Sequence, residues 1–225
     1  MHFARVLAVF VLFAFAGNAV CHAQIAQKIK VKHYKIGGKT AADLIKGMYQ
    51  SGEKRGGQVL LASLATKIHH TLNFPPNSCR NGKMRFSARF LMKLPEPRHQ
   101  RVLSKQTART FNLFYDYLKK HEETHRRINV QCLSRLQSET DKVFAGVKSC
   151  DGLSAASKKV VSLRKASEKR CRAENEALDR RDAKTLHRTA LYRAAKSEVK
   201  GIVRTPIPSS QLGFAYQPMQ IQDRR

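Results

Sequence analysis

The residues best suited to chemistry form the pentapeptide His121-Glu122-Glu123-Thr124-His125. Side chains four residues apart share one face of an α-helix, so both imidazoles can bind a single ion. Glu122 lies one position along the helix, close enough to take a proton from a water on that ion. Zinc lowers the pKa of such a water to about 7 and polarises a carbonyl group. The pattern therefore predicts a zinc site able to hydrolyse peptide bonds.

The flanking residues predict a long helix from about Ser104 to Val147, with both histidines on its apolar face. Chance alone gives this five-residue pattern at roughly the one-in-a-hundred level in a chain of this size. A chance match would more often leave the histidines on the wet face, so their position favours metal ligands over buried structural histidines. The apolar face advances in steps of three and four residues, the helical period: Phe111, Phe114, Leu118, His121, His125, Ile128, Cys132 and Leu136.

A catalytic zinc ion needs a third protein ligand, which leaves one coordination position open for water. The extended form of the motif is excluded, because Ile128 and Gln131 occupy the positions of its glycine and third histidine. The residues alone do not choose between Glu176 and His187 as the third ligand. Candidate ligands lie in a second predicted helix, from Ser154 to about Arg181, or just beyond it: Glu174, Glu176, Asp179, Asp182 and His187.

Two segments with strict alternation of apolar and polar residues predict long strands, one from Leu64 to Phe74 and one from Met84 to Met92. A turn rich in proline and asparagine joins them, which favours an antiparallel pair. His69 and His70 lie in the first strand. They are weaker ligand candidates, because a strand histidine more often faces solvent or the core.

Shorter elements complete the predicted fold. Residues 28–36 alternate as an edge strand, and Thr40 to Asp43 has the form of a capping box that opens a short amphipathic helix. Pro95 and Pro97 are expected to end the sheet. We therefore expect an α+β domain, zincin-like, in which a small antiparallel sheet and the short helix pack against two long antiparallel helices.

The two ends of the chain differ in composition from the middle. Residues 1–23 have the layout of a secretory signal peptide: a positive Arg5, an apolar run too short to span a bilayer comfortably, and small residues before Ala23. Residues 24–200 are expected to form one metallopeptidase-like domain. Residues 201–225, rich in proline, glutamine and serine, are expected to be a flexible tail. No transmembrane segment is expected after the signal peptide.

Four cysteines follow the predicted signal peptide. An even number in an exported chain indicates two disulfides. A bridge between Cys132 and Cys171 would tie the two long predicted helices together and leave Cys79 for Cys150. A four-cysteine zinc site is the alternative, but the chain contains no CxxC spacing.

The formal net charge of +27 is extreme, and its lysines and arginines are spread along the whole chain. A solvated basic surface explains such a charge, and so does attraction to anionic envelope components. The chain has no tryptophan and no recognisable nucleic-acid motif. We therefore expect no specific nucleic-acid partner.

Several further motifs occur in a characteristic order between about Ile29 and Arg188. The first long predicted helix carries Tyr-x-x-x-HEExH, and a cysteine-containing turn and a second helix follow it. In this arrangement the chain resembles the predicted secreted zinc-dependent proteases grouped as domain of unknown function 922. The remaining shared positions are the Tyr-x-Ile-x-Gly-x-Thr-Ala start and the Leu-Pro pair after the strands: Tyr34, Ile36, Gly38, Thr40, Ala41, Leu94 and Pro95.

Members of that family end the domain with a Tyr-Asp-x-x-Thr-x-His-Gly pattern. Asp182, Thr185 and His187 are in register with it, whereas Arg181 replaces the tyrosine and Arg188 the glycine. The resemblance implies His187 as the third metal ligand and Asp182 as the group that orients an imidazole. It leaves open which residue takes the place of the tyrosine, whose expected role is to support an oxyanion.

The sequence thus predicts an exported peptidase, periplasmic or secreted, that binds one Zn²⁺ ion through His121, His125 and His187. Glu122 is the expected catalytic base, and the expected substrate is a protein or peptide. The alternatives are a catalytically inactive zinc-binding protein or a strongly basic envelope-binding protein, and a basic structural protein in which the motif is accidental.

Overall fold

The computed structural model describes residues 25–55, 57–199, 212–213 and 220–223. Within these residues the chain is an α+β structure with four helices, two of them long, and a small mixed sheet. The predicted α+β class is therefore confirmed. The predicted signal peptide and most of the predicted tail lie outside the described residues. None of the described helices combines the length and the apolar composition that a membrane crossing requires.

The helices and strands follow one another along the chain as β1 (Ala26–Ile36), α1 (Ala41–Ser51), β2 (Glu53–Arg55), β3 (Gln58–Leu60), β4 (Ser63–Asn73), β5 (Lys83–Pro97), α2 (Lys105–Ala145), α3 (Gly152–Ala183), α4 (Ala190–Val199), β6 (Leu212–Gly213) and β7 (Gln220–Asp223).

The main sheet has the strand order β1-β5-β4-β7, with β1 at an edge as predicted. β4 and β5 are antiparallel, also as predicted, and Thr66 lies opposite Phe90. However, β1 runs parallel to β5 and β7 runs parallel to β4, so the predicted antiparallel sheet is in fact mixed. Alternation along a strand fixes the face that each side chain takes, but it does not fix the direction of the neighbouring strand.

β5 carries the predicted alternation, since Met84, Phe86 and Phe90 are buried. Pro95 and Pro97 do not end the sheet, because both belong to β5 and pair with β1. The pairing of β5 with β4 stops at Lys93. The prolines therefore lie where β5 has one neighbouring strand, a position in which a missing N–H group is tolerated.

α1 begins with the predicted capping box. The Thr40 hydroxyl accepts a hydrogen bond from the Asp43 amide at 3.2 Å, and the Asp43 carboxylate accepts one from the Thr40 amide at 3.3 Å. The Glu198 carboxylate of α4 accepts further bonds from the amides of Ala41 and Ala42, at 3.2 and 2.9 Å. These oxygens satisfy N–H groups that have no partner within the helix.

α2 and α3 form the predicted pair of long antiparallel helices, and α2 packs on the buried face of the sheet. A disulfide between Cys132 and Cys171 joins the two helices, and a second between Cys79 and Cys150 joins the β4–β5 connection to the α2–α3 turn. The predicted pairing of the cysteines is therefore confirmed. The Asn129 amide of α2 donates a hydrogen bond to the Thr66 hydroxyl of β4 at 3.1 Å, which ties α2 to the sheet.

Two segments of the predicted tail are strands. β6 pairs in parallel with β3, and β7 pairs in parallel with β4. Segments of this length are too short to display an alternation, so sequence periodicity did not indicate them.

Candidate metal centre

His121 and His125 lie on the buried face of α2, one helical turn apart. Their ring centroids are 4.5 Å apart and the ring planes are nearly perpendicular, at 89°. This arrangement brings the two Nε2 atoms within 2.9 Å of each other. Both side chains are almost fully buried, because α3 packs over this part of α2.

Asp179 of α3 completes a group of three possible metal ligands. Its Oδ1 atom lies 2.9 Å from His125 Nε2 and 3.2 Å from His121 Nε2. The three residues are buried, and their ligand atoms lie within 4.8 Å of one another. Burial alone would raise the pKa of Asp179, but its close contacts with the imidazoles of His121 and His125 outweigh it and lower the pKa to about 2. The carboxylate is therefore negatively charged at the pH of most compartments.

Asp182 holds the other nitrogen of His121. His121 Nδ1 donates a hydrogen bond to Asp182 Oδ2 at 2.8 Å, and Arg181 Nε donates to Asp182 Oδ1, also at 2.8 Å. The Tyr117 hydroxyl donates to the backbone carbonyl of Asp182 at 3.1 Å. Burial raises the pKa of Asp182, but the bonds from Arg181 and His121 outweigh it and keep the pKa below its usual value. Asp182 is thus an acceptor that orients the His121 ring.

Asn175 orients the ring of His125 as Asp182 orients that of His121. Its Oδ1 atom lies 2.6 Å from His125 Nδ1. Its Nδ2 atom donates to Asn129 Oδ1 at 3.0 Å and to the Cys171 carbonyl at 2.8 Å, which fixes the orientation of the amide. Since the oxygen faces the ring, His125 must donate from Nδ1. A buried chain of hydrogen bonds therefore runs from Thr66 of the sheet through both asparagines to His125.

These partners determine where the lone pairs of the two imidazoles point. Each ring carries its proton on Nδ1, so each Nε2 directs a lone pair toward the other and toward Asp179. Lone pairs at 2.9 Å repel each other unless a positive charge lies between them. Ligands about 2.0–2.1 Å from a tetrahedral zinc ion are about 3.3 Å apart, and two imidazoles with a carboxylate suit that ion. The three residues could therefore hold a metal ion, and their chemistry suits zinc.

Glu122 lies beside this group and is only 2% exposed. Burial raises the pKa of Glu122 to about 7, although the nearby imidazoles of His125 and His121 oppose the shift. No described residue forms a hydrogen bond or a salt bridge with its carboxylate. Glu122 is therefore a buried carboxyl group that can take up a proton near neutral pH and release it again.

The structure does not bring the other candidate ligands to the histidine pair. Glu174 accepts two hydrogen bonds from Arg135, at 2.9 and 3.1 Å, and the exposed Glu176 lies 3.8 Å from Arg180. His187, the ligand implied by the family pattern, is exposed in a 3₁₀ turn beyond the end of α3. Within the described chain, Asp179 takes the place expected for His187.

His69 and His70 also lie away from the pair, on β4. They occupy opposite faces of the sheet, opposite Ser87 and Phe86 of β5 respectively. His70 borders an apolar cavity between the sheet and the C-terminal half of α2. Neither belongs to the group of possible metal ligands.

Sequence reasoning missed Asn175 and Asn129, which carry the support of His125. A usable pattern was present in α3, where Asn175, Asp179 and Asp182 follow one another at spacings of four and three residues. That spacing puts all three on one face of a helix. A polar stripe of this kind on a helix expected to pack against the histidines indicates a shared site.

No curated protein and no solved structure matches this chain. A family model does match it, over residues 31–188, which include the second half of β1, the histidine pair, Asp179 and Asp182. The match covers most of the chain and ends five residues after α3. This chain belongs to the family described as bacterial protein of unknown function (DUF922).

Proposed function

We propose that this protein is an exported zinc-dependent peptidase in which His121, His125 and Asp179 hold one zinc ion and Glu122 is the general base. One observation carries the proposal. Three buried donor atoms from two helices converge within 3.2 Å of one another, beside a buried carboxyl group without a described partner. A structural histidine pair would not need its lone pairs directed at each other.

When zinc is bound there, it supplies a Lewis acid that polarises a carbonyl group and lowers the pKa of a water to about 7. Glu122 accepts a proton from the attacking water and returns it to the leaving nitrogen of the cleaved peptide bond. Its raised pKa suits both transfers, because neither protonation state is strongly preferred near neutral pH. Asp182 and Asn175 hold the imidazoles in the tautomer that leaves Nε2 free.

The fold supports the same function. A helix bearing HExxH packs on one face of a mixed sheet, and a second helix supplies the acidic ligand, an arrangement that we propose to be zincin-like. The two disulfides support export to the periplasm or the exterior, since disulfides persist in oxidising compartments. A protein or peptide is the proposed substrate.

The experiment compares two substitutions that change the chemistry of the centre in different ways. Purified protein should contain about one zinc ion per chain. Glu122→Gln should keep that zinc and lose hydrolysis of an unfolded polypeptide by at least about 100-fold, because the base is gone while the ligands remain. Asp179→Asn should lose zinc as well as activity. The measurements are metal analysis and a peptide-release assay on the same preparations.

His187→Ala is the matched control for the ligand assignment, because it removes the imidazole implied by the family pattern and leaves Asp179 in place. Zinc content should be unchanged in His187→Ala. A loss of zinc in this variant together with retention in Asp179→Asn would contradict the assignment of Asp179. Full activity in Glu122→Gln would contradict the proposed mechanism whatever the metal content.

A second function is favoured by the depth of the centre. His121, Glu122 and His125 are at most 4% exposed and Asp179 is 8% exposed, which is the burial expected of a zinc ion that only stabilises the fold. On this alternative, zinc binds and no peptide is cleaved. Metal removal would then lower the melting temperature of the wild type, and Glu122→Gln would match the wild type in every assay.

A further inference from the structure

The main sheet has one face buried against α2 and one face that is partly open. On the open face, α1 and the small sheet cover the part near Tyr34 and Ile36. The outward positions of the uncovered part belong to β1, β4 and β5. Every charged side chain at these positions is a cation, and none is a carboxylate: Lys28, Lys30, Lys32, Lys67, Lys83, Arg85, Arg89 and Lys93. We call this set the basic sheet face.

Two of these cations are paired with carboxylates from other elements. Lys93 lies 3.0 Å from Glu53 of β2, and Arg85 lies 3.5 Å from Asp141 of α2. Among the described residues no carboxylate pairs with the others. Several cations of the helices, by contrast, form salt bridges with acidic residues, such as Arg170 with Glu139 and Arg135 with Glu174. The basic sheet face is thus a patch of unneutralised positive charge.

The register of the strands places these cations directly opposite one another. Lys28 of β1 and Lys67 of β4 both align with Arg89 of β5. Like charges opposite each other destabilise a sheet. Lysines on an edge strand deter edge-to-edge aggregation, and that accounts for β1. It does not account for Arg89 or Lys67, whose strands have neighbours on both sides at this level.

The cations extend in two directions. Lys28, Lys30 and Lys32 follow β1 at every second residue, and the row of Lys28, Arg89 and Lys67 crosses three strands. Strand spacing and rise give the patch dimensions of about 10 Å by about 13 Å. A single anionic polymer would follow one row and leave the others unused. A planar array of negative charges meets all of them at once.

The basic sheet face lacks the groups with which proteins contact the bases of nucleic acids. Its exposed described side chains include no phenylalanine, tyrosine or tryptophan on which bases could stack. The face of a four-stranded sheet also presents no helix or two-stranded ribbon to enter a groove. We propose that the basic sheet face docks the protein on an anionic phospholipid bilayer. α2 packs on the opposite face, so a docked protein holds His121 and His125 on the side away from the lipid.

The test uses the full protein and two variants that each lose three positive charges. The first, Lys28→Gln with Lys67→Gln and Arg89→Gln, removes the row across the sheet. The second removes three exposed lysines of α3 by Lys158→Gln, Lys165→Gln and Lys169→Gln. Binding is measured by co-sedimentation with phosphatidylcholine vesicles, with and without phosphatidylglycerol. Zinc content and melting temperature, measured on the same samples, verify that each variant is folded.

The wild type should bind the vesicles that contain phosphatidylglycerol and not those of phosphatidylcholine alone, and high salt should release it. The sheet variant should bind about 100-fold more weakly, since each cation near an anionic surface contributes about fivefold. The α3 variant should change by no more than about twofold. Equal losses in both variants, or binding to phosphatidylcholine alone, would overturn the proposal. So would tight binding of duplex DNA or polyphosphate without binding of vesicles.

Discussion

Asn175 determines which nitrogen of His125 faces His121 and Asp179. The amide can present its oxygen to the ring only while its NH₂ group has acceptors of its own, and these are Asn129 and the Cys171 carbonyl. Groups that orient a ligand in this way commonly change metal affinity 10–100-fold when they are removed. On the proposed function, a residue that touches neither metal nor substrate thus orients a metal ligand.

Asn175→Leu should lower zinc affinity by about 10–100-fold, because the side chain keeps its approximate size but offers no acceptor to His125 Nδ1. Asn175→Asp keeps an acceptor and should retain more of the affinity. Competition with a chromogenic chelator measures both. Glu176→Gln, on the exposed neighbouring residue, is the control and should bind as the wild type does. Equal affinity in Asn175→Leu and the wild type would exclude the orienting role.

At the level of single residues, spacing singled out the histidine pair and the adjacent glutamate as candidates, and the family pattern singled out Asp182. Neither selected Asp179, although Asp179 was among the candidates. The family pattern favoured His187, and nothing in the local sequence states that α3 ends at Ala183 before His187 can reach the pair. Whether Asp179 or His187 lies next to the histidine pair depends on the position of α3 along α2. That position is set by the packing of the two helices and not by either sequence segment alone.

The Cys132–Cys171 disulfide sets that relation between α2 and α3. His121 lies eleven residues before Cys132, and Asp182 lies eleven residues after Cys171. In antiparallel helices with the same rise per residue, positions equally far from a cross-link lie opposite each other. Asp182 therefore meets His121, and Asp179 and Asn175 meet His125. The bridge and the helix period together contain the information that selects Asp179.

Replacing this bridge should weaken zinc binding. Cys132→Ser with Cys171→Ser should lower zinc affinity by about tenfold or more, because Asn175 bonds the Cys171 carbonyl and loses its fixed place opposite His125. The control is Cys79→Ser with Cys150→Ser, which removes the bridge that lies away from the centre. Each pair should lower the free energy of unfolding by about 2–4 kcal/mol. Urea titration measures stability, and chelator competition measures affinity.

Zinc affinity and the free energy of unfolding, measured together, distinguish a local effect of the Cys132–Cys171 bridge on the centre from a general loss of stability. If both double variants lose zinc affinity to the same extent, the bridge acts through overall stability and not through the position of α3. If neither loses affinity, the packing of α2 against α3 holds the centre without a covalent link.

Among the helices and strands, features set by residues close in sequence could be predicted, whereas pairings between distant segments could not. The alternation in β4 and β5, the capping box at Thr40 and the bounds of the two long helices could all be predicted, because each depends on residues close in sequence. The parallel pairing of β1 with β5 could not, since α1 and three strands intervene between them. The helix that carries the histidine pair is found by its period, whereas the position of its partner helix depends on tertiary contacts.

The charge of the whole molecule exceeds what local pairing can neutralise. There are 43 lysines and arginines against 16 aspartates and glutamates, so repulsion among cations dominates the long-range electrostatics. Such an excess destabilises the compact state, since unfolding moves like charges apart. Composition gives the excess of cations itself, whereas the cluster of cations on one sheet face depends on strand register and could not be read from composition.

Salt should therefore stabilise this protein. Raising the ionic strength from about 0.01 M to about 1 M shortens the Debye length from about 30 Å to about 3 Å. The melting temperature should rise by about 5 °C, because screening removes more repulsion than attraction. Scanning calorimetry in sodium chloride and in choline chloride of equal ionic strength should give the same rise. A fall in melting temperature would mean that the salt bridges outweigh the repulsion.

The bridge between Cys132 and Cys171 also bears on when the centre can mature. Thiols remain reduced in the cytosol, so a newly synthesised chain has the histidines of α2 but not yet the locked face of α3 that completes the site. On the proposed function, hydrolytic competence then begins only after oxidation. The producing cell's own cytosolic proteins are thereby kept out of reach of an enzyme that is still in transit.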